Sequence, residues 1–294
     1  MPEGPLGRIT VTTADGAELR VWEHPAHDTP HGMLPTVVLA HGWTLTHQSW
    51  LPVVEQLQGL RAVRVVLYDQ RGHGASTLGR GTASIRDLAH DLAAVIDAMV
   101  PDGRLVLGGH SMGGMAVMAY AGTHADQLRD RVGGVALVGT SSGDLGKPLP
   151  SLTEVALRIA SRGPRIPAGL AARAGTPRSL LFGDAPHPAH VKAVRDQIAG
   201  THIPTFGKFY AAFNDHDETE ALAHLNGIPT TVLVGERDRL TSVRHSRRIA
   251  ELAPHSSLRV LAGRGHMLAY EATNEVVSAL VELVDGAASQ TQPD

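Results

Sequence analysis

Between residues 36 and 138, four short runs made mostly of apolar residues alternate with stretches whose apolar residues recur at helical spacing. The runs are 36–40 (TVVLA), 63–68, 104–107 and 132–138. A strand that is apolar at every position must be covered on both faces, which is the condition of a parallel strand packed between helices. Residues 49–57 carry Trp50, Val53, Val54 and Leu57 at helical spacing, and 84–99 carry Ile85, Leu88, Leu92, Val95, Ile96 and Met99. Residues 112–122 read as a third helix. This alternation predicts an α/β fold with a doubly wound, mostly parallel sheet. Ahead of it, 9–13 and 18–22 flank Asp15-Gly16 and predict a β-hairpin.

The pattern breaks after residue 143. Residues 144–226 contain helix-like pieces, several prolines and no clear strand, with Phe206, Phe209, Tyr210 and Phe213 at helical spacing. The alternation then resumes, with strands at 230–234 and 257–261 and helices at 242–252 and 269–284. The chain therefore divides into a core (8–143), an inserted helical cap (144–226), the rest of the core (227–285) and a small, polar, fraying tail (286–294). A length of 294 residues suits one domain with such an insertion.

Composition removes several alternatives. The chain has no cysteine, which excludes disulfides, thiolate metal sites and a cysteine nucleophile. A formal net charge of −3 without a long Lys/Arg run argues against nucleic acid and anionic membrane surfaces as partners. No apolar run approaches the ~20 residues that span a bilayer, and 1–8 has no apolar core of a signal peptide. The expected location is cytoplasmic.

The strongest local signal is Gly109-His110-Ser111-Met112-Gly113, preceded by an apolar strand and followed by a helix. A sharp strand-to-helix turn strains the serine backbone and exposes its hydroxyl above the sheet edge, and small residues two before and two after let strand and helix approach. Ser111 is the candidate nucleophile. A serine needs an adjacent base, and that base needs a group to orient it. In this arrangement the acid and then the histidine follow the serine along the chain. Among 17 histidines, His266 stands out by lying in Gly263-Arg264-Gly265-His266-Met267, between the last strand and the last helix. Asp238, just past strand 230–234, is the candidate acid, with Glu236 and Asp144 as alternatives.

His41-Gly42-Trp43 follows strand 36–40. The backbone N–H groups of Trp43 and Met112 are the expected oxyanion-hole donors, and His41 reads as a brace for the loop. Asp69-Gln70-Arg71-Gly72-His73-Gly74 reads as a tight structural turn. Gly42, His110, Phe206, Phe209, Tyr210, Phe213 and Met267 are expected to contact substrate, although an aromatic stripe also fits the packing of the cap onto the core. His24, His27 and His31 have loose metal-ligand spacing but read as a solvated loop, and Asp215-His216-Asp217-Glu218, which resembles a cation site on paper, reads as a solvated acidic loop or helix start. A serine triad needs neither metal nor other cofactor, so none is expected.

Together, these residues resemble the α/β-hydrolase fold superfamily, and within it the cap-bearing esterase, epoxide hydrolase and cofactor-free haloperoxidase/perhydrolase branch. The resemblance covers roughly 8–143 and 227–285. Epoxide hydrolases and haloalkane dehalogenases of that fold carry aspartate at the elbow, so Ser111 disfavours those activities. The resemblance implies a serine hydrolase that cleaves a carboxylic ester, lactone or thioester of a small to medium apolar substrate through an acyl-enzyme. Two alternatives stand beside it. The same triad would also serve C–C bond hydrolysis or perhydrolysis, and the fold also hosts ligand-binding or cyclase-type members, against which the intact Ser, Asp, His order argues.

Overall fold

The computed structural model describes residues 6–26, 34–80, 83–145, 162–163, 166–169 and 176–290. Eight strands form one sheet: β1 (Leu6–Thr12), β2 (Glu18–His24), β3 (Thr36–Ala40), β4 (Val65–Tyr68), β5 (Leu105–His110), β6 (Val132–Val138), β7 (Thr230–Gly235) and β8 (Ser257–Leu261). Their spatial order is β1-β2-β4-β3-β5-β6-β7-β8. The hairpin pair and its junction with β4 are antiparallel, and every pairing from β4 to β8 is parallel.

Helices cover both faces, as continuously apolar strands require. On one face lie α1 (Leu51–Leu60) and, at the end of the chain, the helix Thr273–Ser289; both contribute to a core that includes Val37, Leu39, Val106 and Leu233. On the other lie α2 (Ile85–Met99) and α3 (Met112–Thr123), packed over Val38, Val66, Leu107 and Leu137. A reciprocal Ser84–Asp87 capping box starts α2. A short helix, α4 (Ala125–Arg131), links α3 to β6. Between β6 and β7 come α5 (Arg178–Leu181), α6 (Pro188–Gly200), α7 (Ile203–Asn214) and a 3-10 turn at Glu220–Leu225, and no strand among the described residues. After β7 follow α8 (Val243–Leu252), α9 (Leu268–Glu271) and α10 (Thr273–Ser289).

Four local readings change. The expected strand at 104–107 runs on to His110, because Gly108 and Gly109 pair with Leu39 and Ala40 and His110 pairs with Val138. The expected fraying from residue 286 gives way to helix as far as Ser289, where buried Ala287 packs against β6. The segment Asp215–Glu218 is not a solvated loop. Bridged to Gly143 through Asp217, it buries His216 and Glu218, which meet the Ser141 carbonyl at 2.8 Å and Arg86 at 3.2 Å. His24, expected in a solvated loop, is instead the buried last residue of β2, and His27 and His31 lie outside the described residues. Among those described, no helix is long and apolar enough to cross a membrane, and no group of three or more His, Asp or Glu is arranged to hold a metal ion.

Candidate active site

The turn from β5 to α3 places Ser111 at φ 53° and ψ −118°, a region L residues rarely enter. Such strain costs about 1–3 kcal/mol and persists only where surrounding contacts enforce it. The Ser111 N–H donates to the Val138 carbonyl at 2.9 Å, and the Thr140 hydroxyl donates to the Ser111 carbonyl at 2.8 Å. The flanking glycines are required by contact. A Cβ on Gly109 would lie 2.3 Å from the Gly113 oxygen, and one on Gly113 would lie 2.2 Å from the Ala40 oxygen. Gly113→Ala is therefore expected to destabilise the chain by about 3 kcal/mol through forced backbone separation. An unfolding free energy from denaturant titration within about 0.5 kcal/mol of wild type, roughly the scatter of surface substitutions, would contradict it.

His266 and Asp238 meet at the same sheet edge. The His266 Nδ1–H donates to Asp238 Oδ2 at 2.8 Å, with both side chains almost fully buried. The backbone N–H groups of Leu240 and Thr241 donate to Asp238 Oδ1, each at 2.9 Å, and the Thr241 hydroxyl donates to Oδ2 at 2.9 Å. Burial alone would raise this carboxyl, but the neighbouring imidazole and these hydrogen bonds hold it below the usual carboxylate range. The two alternative acids lie elsewhere. Asp144 is exposed and pairs with Arg244 at 2.7 Å, while Glu236 accepts from the Gly263 N–H at 2.9 Å. Gly139, which follows the tether of Ser111 on β6, has φ +52° and lies against both the Asp238 carboxylate and the His266 ring. The acid–histidine pair thus stands beside the elbow, across the end of β6.

His41 sits beneath the loop that follows β3. Its Nε2 accepts from the Gln70 N–H at 2.9 Å and its Nδ1–H donates to the Gly42 carbonyl at 2.8 Å. Burial pushes it down to about 4, so it is neutral near pH 7. Beyond it, the N–H groups of Trp43 and Met112 donate to no acceptor among the described residues. Gly42 is glycine because a Cβ there would lie 2.9 Å from His110 Nδ1. The turn at Asp69–Gly74 is held by buried charge: Asp69 accepts from His47 and Ala75 N–H groups, and Arg71 pairs with Asp91 and Asp15.

The expected substrate contacts divide. Phe206 and Phe213 pack edge-on against Trp43, with ring centroids 5.4 and 5.3 Å away, and Tyr210 lies at 6.4 Å. Phe209 is turned into the core against His73, because one helix face is wide enough to meet both the core and Trp43. His110 is buried, and its Nε2–H donates to the His266 carbonyl at 2.9 Å, so its ring braces the site from below. Met267 packs with Leu181, Phe182, Ile198 and Tyr270. Phe209, His110 and Met267 are all buried, and the contacts the structure gives them are with their neighbours in the fold.

Two contributors escaped sequence reasoning. Thr241, three residues after the acid, bonds both Asp238 and, at 3.2 Å, His266 Nδ1. Glu271, five residues after the histidine, accepts from backbone on both sides of it. A carboxylate shortly after a glycine-bounded loop and at a helix start was the available signal.

Residues 35–273 match the family model described as alpha/beta hydrolase fold. The chain is 26% identical over 255 residues to the biotin biosynthesis bifunctional protein BioHC of Cellvibrio japonicus, which spans 85% of this chain and 48% of that protein. It thus spans about half the length of this relative. It is 26% identical over 260 residues to a pimeloyl acyl-carrier-protein methyl ester esterase of Stenotrophomonas maltophilia, covering 86% of this chain and 94% of that one. Among solved structures, a thermophilic esterase from Thermogutta terrifontis superposes with a TM-score of 0.77 at 25% identity, over 96% of this chain and 100% of that chain.

Proposed function

Since the chain belongs to the α/β-hydrolase fold family, we propose that it is a serine hydrolase that cleaves carboxylic esters of small to medium apolar molecules through an acyl-enzyme. The observation that carries this reading is a strained serine, at φ 53°, beside a histidine bonded at 2.8 Å to a buried, caged carboxylate. Esterases among the relatives and structural neighbours support it.

Ser111 Oγ attacks the acyl carbonyl while His266 Nε2 takes its proton. Asp238, bonded to Nδ1–H, keeps Nε2 as the acceptor and stabilises the imidazolium. The Trp43 and Met112 N–H groups receive the developing oxyanion, each worth a few kcal/mol in a water-poor site. The imidazolium then protonates the leaving alkoxide, and the same histidine activates water to release the acid. The described part of 144–226 belongs to the cap in this reading, residues 146–161, 164–165 and 170–175 lying outside the described residues, and Trp43, Phe206 and Phe213 wall the acyl pocket.

Two measurements test it together: hydrolysis of p-nitrophenyl esters from acetate to palmitate, and covalent labelling by a fluorophosphonate. Wild type is expected to turn over at least one chain length and to be labelled on Ser111. Ser111→Ala is expected to lose labelling and about three orders of magnitude in rate. A folded wild-type chain that hydrolyses none of these esters and takes no label would overturn the proposal.

A further inference from the structure

The loop that carries His266 is gripped from outside the triad. The N–H groups of His266 and Met267 donate to the Leu181 carbonyl at 2.8 and 3.1 Å, and the Asp184 N–H donates to the Gly263 carbonyl at 2.8 Å. Segment 181–184, which lies between β6 and β7 in the chain, therefore lies along the histidine loop. On the loop's other side, the Arg237 N–H donates to the Arg264 carbonyl at 2.8 Å. The three backbones are in van der Waals contact through glycine. A Cβ on Gly183 would meet the Gly263 oxygen at 2.1 Å, one on Gly265 the Gly183 nitrogen at 2.4 Å, and one on Gly235 the Gly265 oxygen at 2.1 Å.

The Glu271 carboxylate closes this assembly. It accepts from the Gly183 N–H at 2.7 Å, from the Gly265 N–H at 3.1 Å and from the Met267 N–H at 3.1 Å. Gly265 and Met267 are the two residues flanking His266. A single side chain thus ties both shoulders of the histidine to segment 181–184. Hydrogen bonds to a charged acceptor are about twice as strong as neutral ones, which suits a clamp made of one group. Burial raises the Glu271 carboxyl and the three backbone donors oppose that rise.

We infer that Glu271 is a positioning residue. Resting on the serine-hydrolase reading above, its role is to set the height of the His266 imidazole relative to Ser111 by clamping the histidine loop to segment 181–184. It touches no reacting atom. A general base displaced by about 1 Å costs on the order of 10²-fold in rate, so loss of the clamp acts on kcat and not on substrate affinity.

The test compares wild type, Glu271→Ala and Glu271→Gln, with active sites counted by fluorophosphonate and turnover expressed per labelled site. Glu271→Ala is expected to lose about 10- to 100-fold in kcat per labelled site, with KM changed less than about threefold, because bound substrate meets other residues. Glu271→Gln preserves volume and one acceptor oxygen, and is expected to fall between the other two. It carries the test if the alanine variant does not fold. A merely structural role would lower the labelled fraction and leave kcat per labelled site unchanged; that outcome overturns the inference alone. A wild-type chain that takes no label overturns the serine-hydrolase reading and this inference with it.

Discussion

Asp238→Asn is expected to lower kcat by about 10⁴-fold while leaving the fold in place. The reason lies in the polarity of the cage. Every partner of the carboxylate is a donor: the Leu240 and Thr241 N–H groups at Oδ1, and the Thr241 hydroxyl and His266 Nδ1–H at Oδ2. Asparagine satisfies the two backbone donors with its carbonyl oxygen, which leaves its NH₂ facing His266. That group can only donate, so the imidazole must turn its Nδ1 lone pair toward it and carry its proton on Nε2. A histidine in that tautomer cannot accept the Ser111 proton. Removing the whole group would leave buried donors without an acceptor, so the isosteric change isolates the tautomer from the packing. Steady-state kinetics with the best p-nitrophenyl ester, beside far-UV circular dichroism, checks it. A loss smaller than tenfold in a folded variant would mean that Asp238 does not orient the base.

The parts of this site that were readable in advance share one property: their chemistry is local in sequence. The elbow is legible because Gly109 and Gly113 must stand two residues either side of Ser111 for β5 and α3 to touch, and that spacing is written in the chain. His266 was legible among many histidines because topology leaves one loop between the last strand and the last helix. The doubly wound sheet followed from four mostly apolar runs alternating with helical spacing. What could not be read depends on contacts between distant segments. Spacing favours Asp238 but leaves Glu236 and Asp144 open, and only the folded chain shows that the His266 ring meets Asp238 while Glu236 meets the Gly263 backbone. Helical periodicity places Phe206, Phe209, Tyr210 and Phe213 on one face but does not say that Phe209 enters the core while Phe206 and Phe213 meet Trp43. The clamp at Glu271 joins residues 88 positions apart, Gly183 and Glu271, through backbone groups that every residue carries. The carboxylate's place shortly after a glycine-bounded loop is the one cue in the sequence, and it does not say which backbone groups the carboxylate meets.

Acid is expected to destabilise this chain steeply, for a reason set by three buried histidines. His41, His73 and His110 each expose 2% of their surface or less. Both His41 nitrogens are committed, one to the Gln70 N–H and one to the Gly42 carbonyl. His73 donates through Nδ1 to the Arg71 carbonyl at 3.0 Å and lies against Phe209. His110 donates through Nε2 to the His266 carbonyl and presses Nδ1 against Gly42. None of the three has room for a hydrated charge. Burial, reinforced by neighbouring imidazoles, pushes them down to about 4, 3 and 3, from an ordinary value of 6.5. Below pH 6.5 the unfolded chain takes up protons that the folded chain refuses. The stability these neutral rings contribute is therefore complete above 6.5 and is lost as pH falls toward their folded values. At pH 5 each ring costs about 2 kcal/mol, a figure that requires only that the folded values lie below 5, and the three together cost about 6 kcal/mol. Set against a typical stability of about 5–15 kcal/mol, that is enough to bring the folded state close to its limit. Urea unfolding followed by circular dichroism at pH 7.5 and pH 5.0 measures the difference directly, and His73→Phe, which deletes one refused proton, should reduce it by about 2 kcal/mol. A pH-dependent loss below about 2 kcal/mol would mean that these rings accept protons in the folded chain. The His110 brace on His266 and the loop after β3 would then loosen before the fold does, and activity would fall at a higher pH than stability.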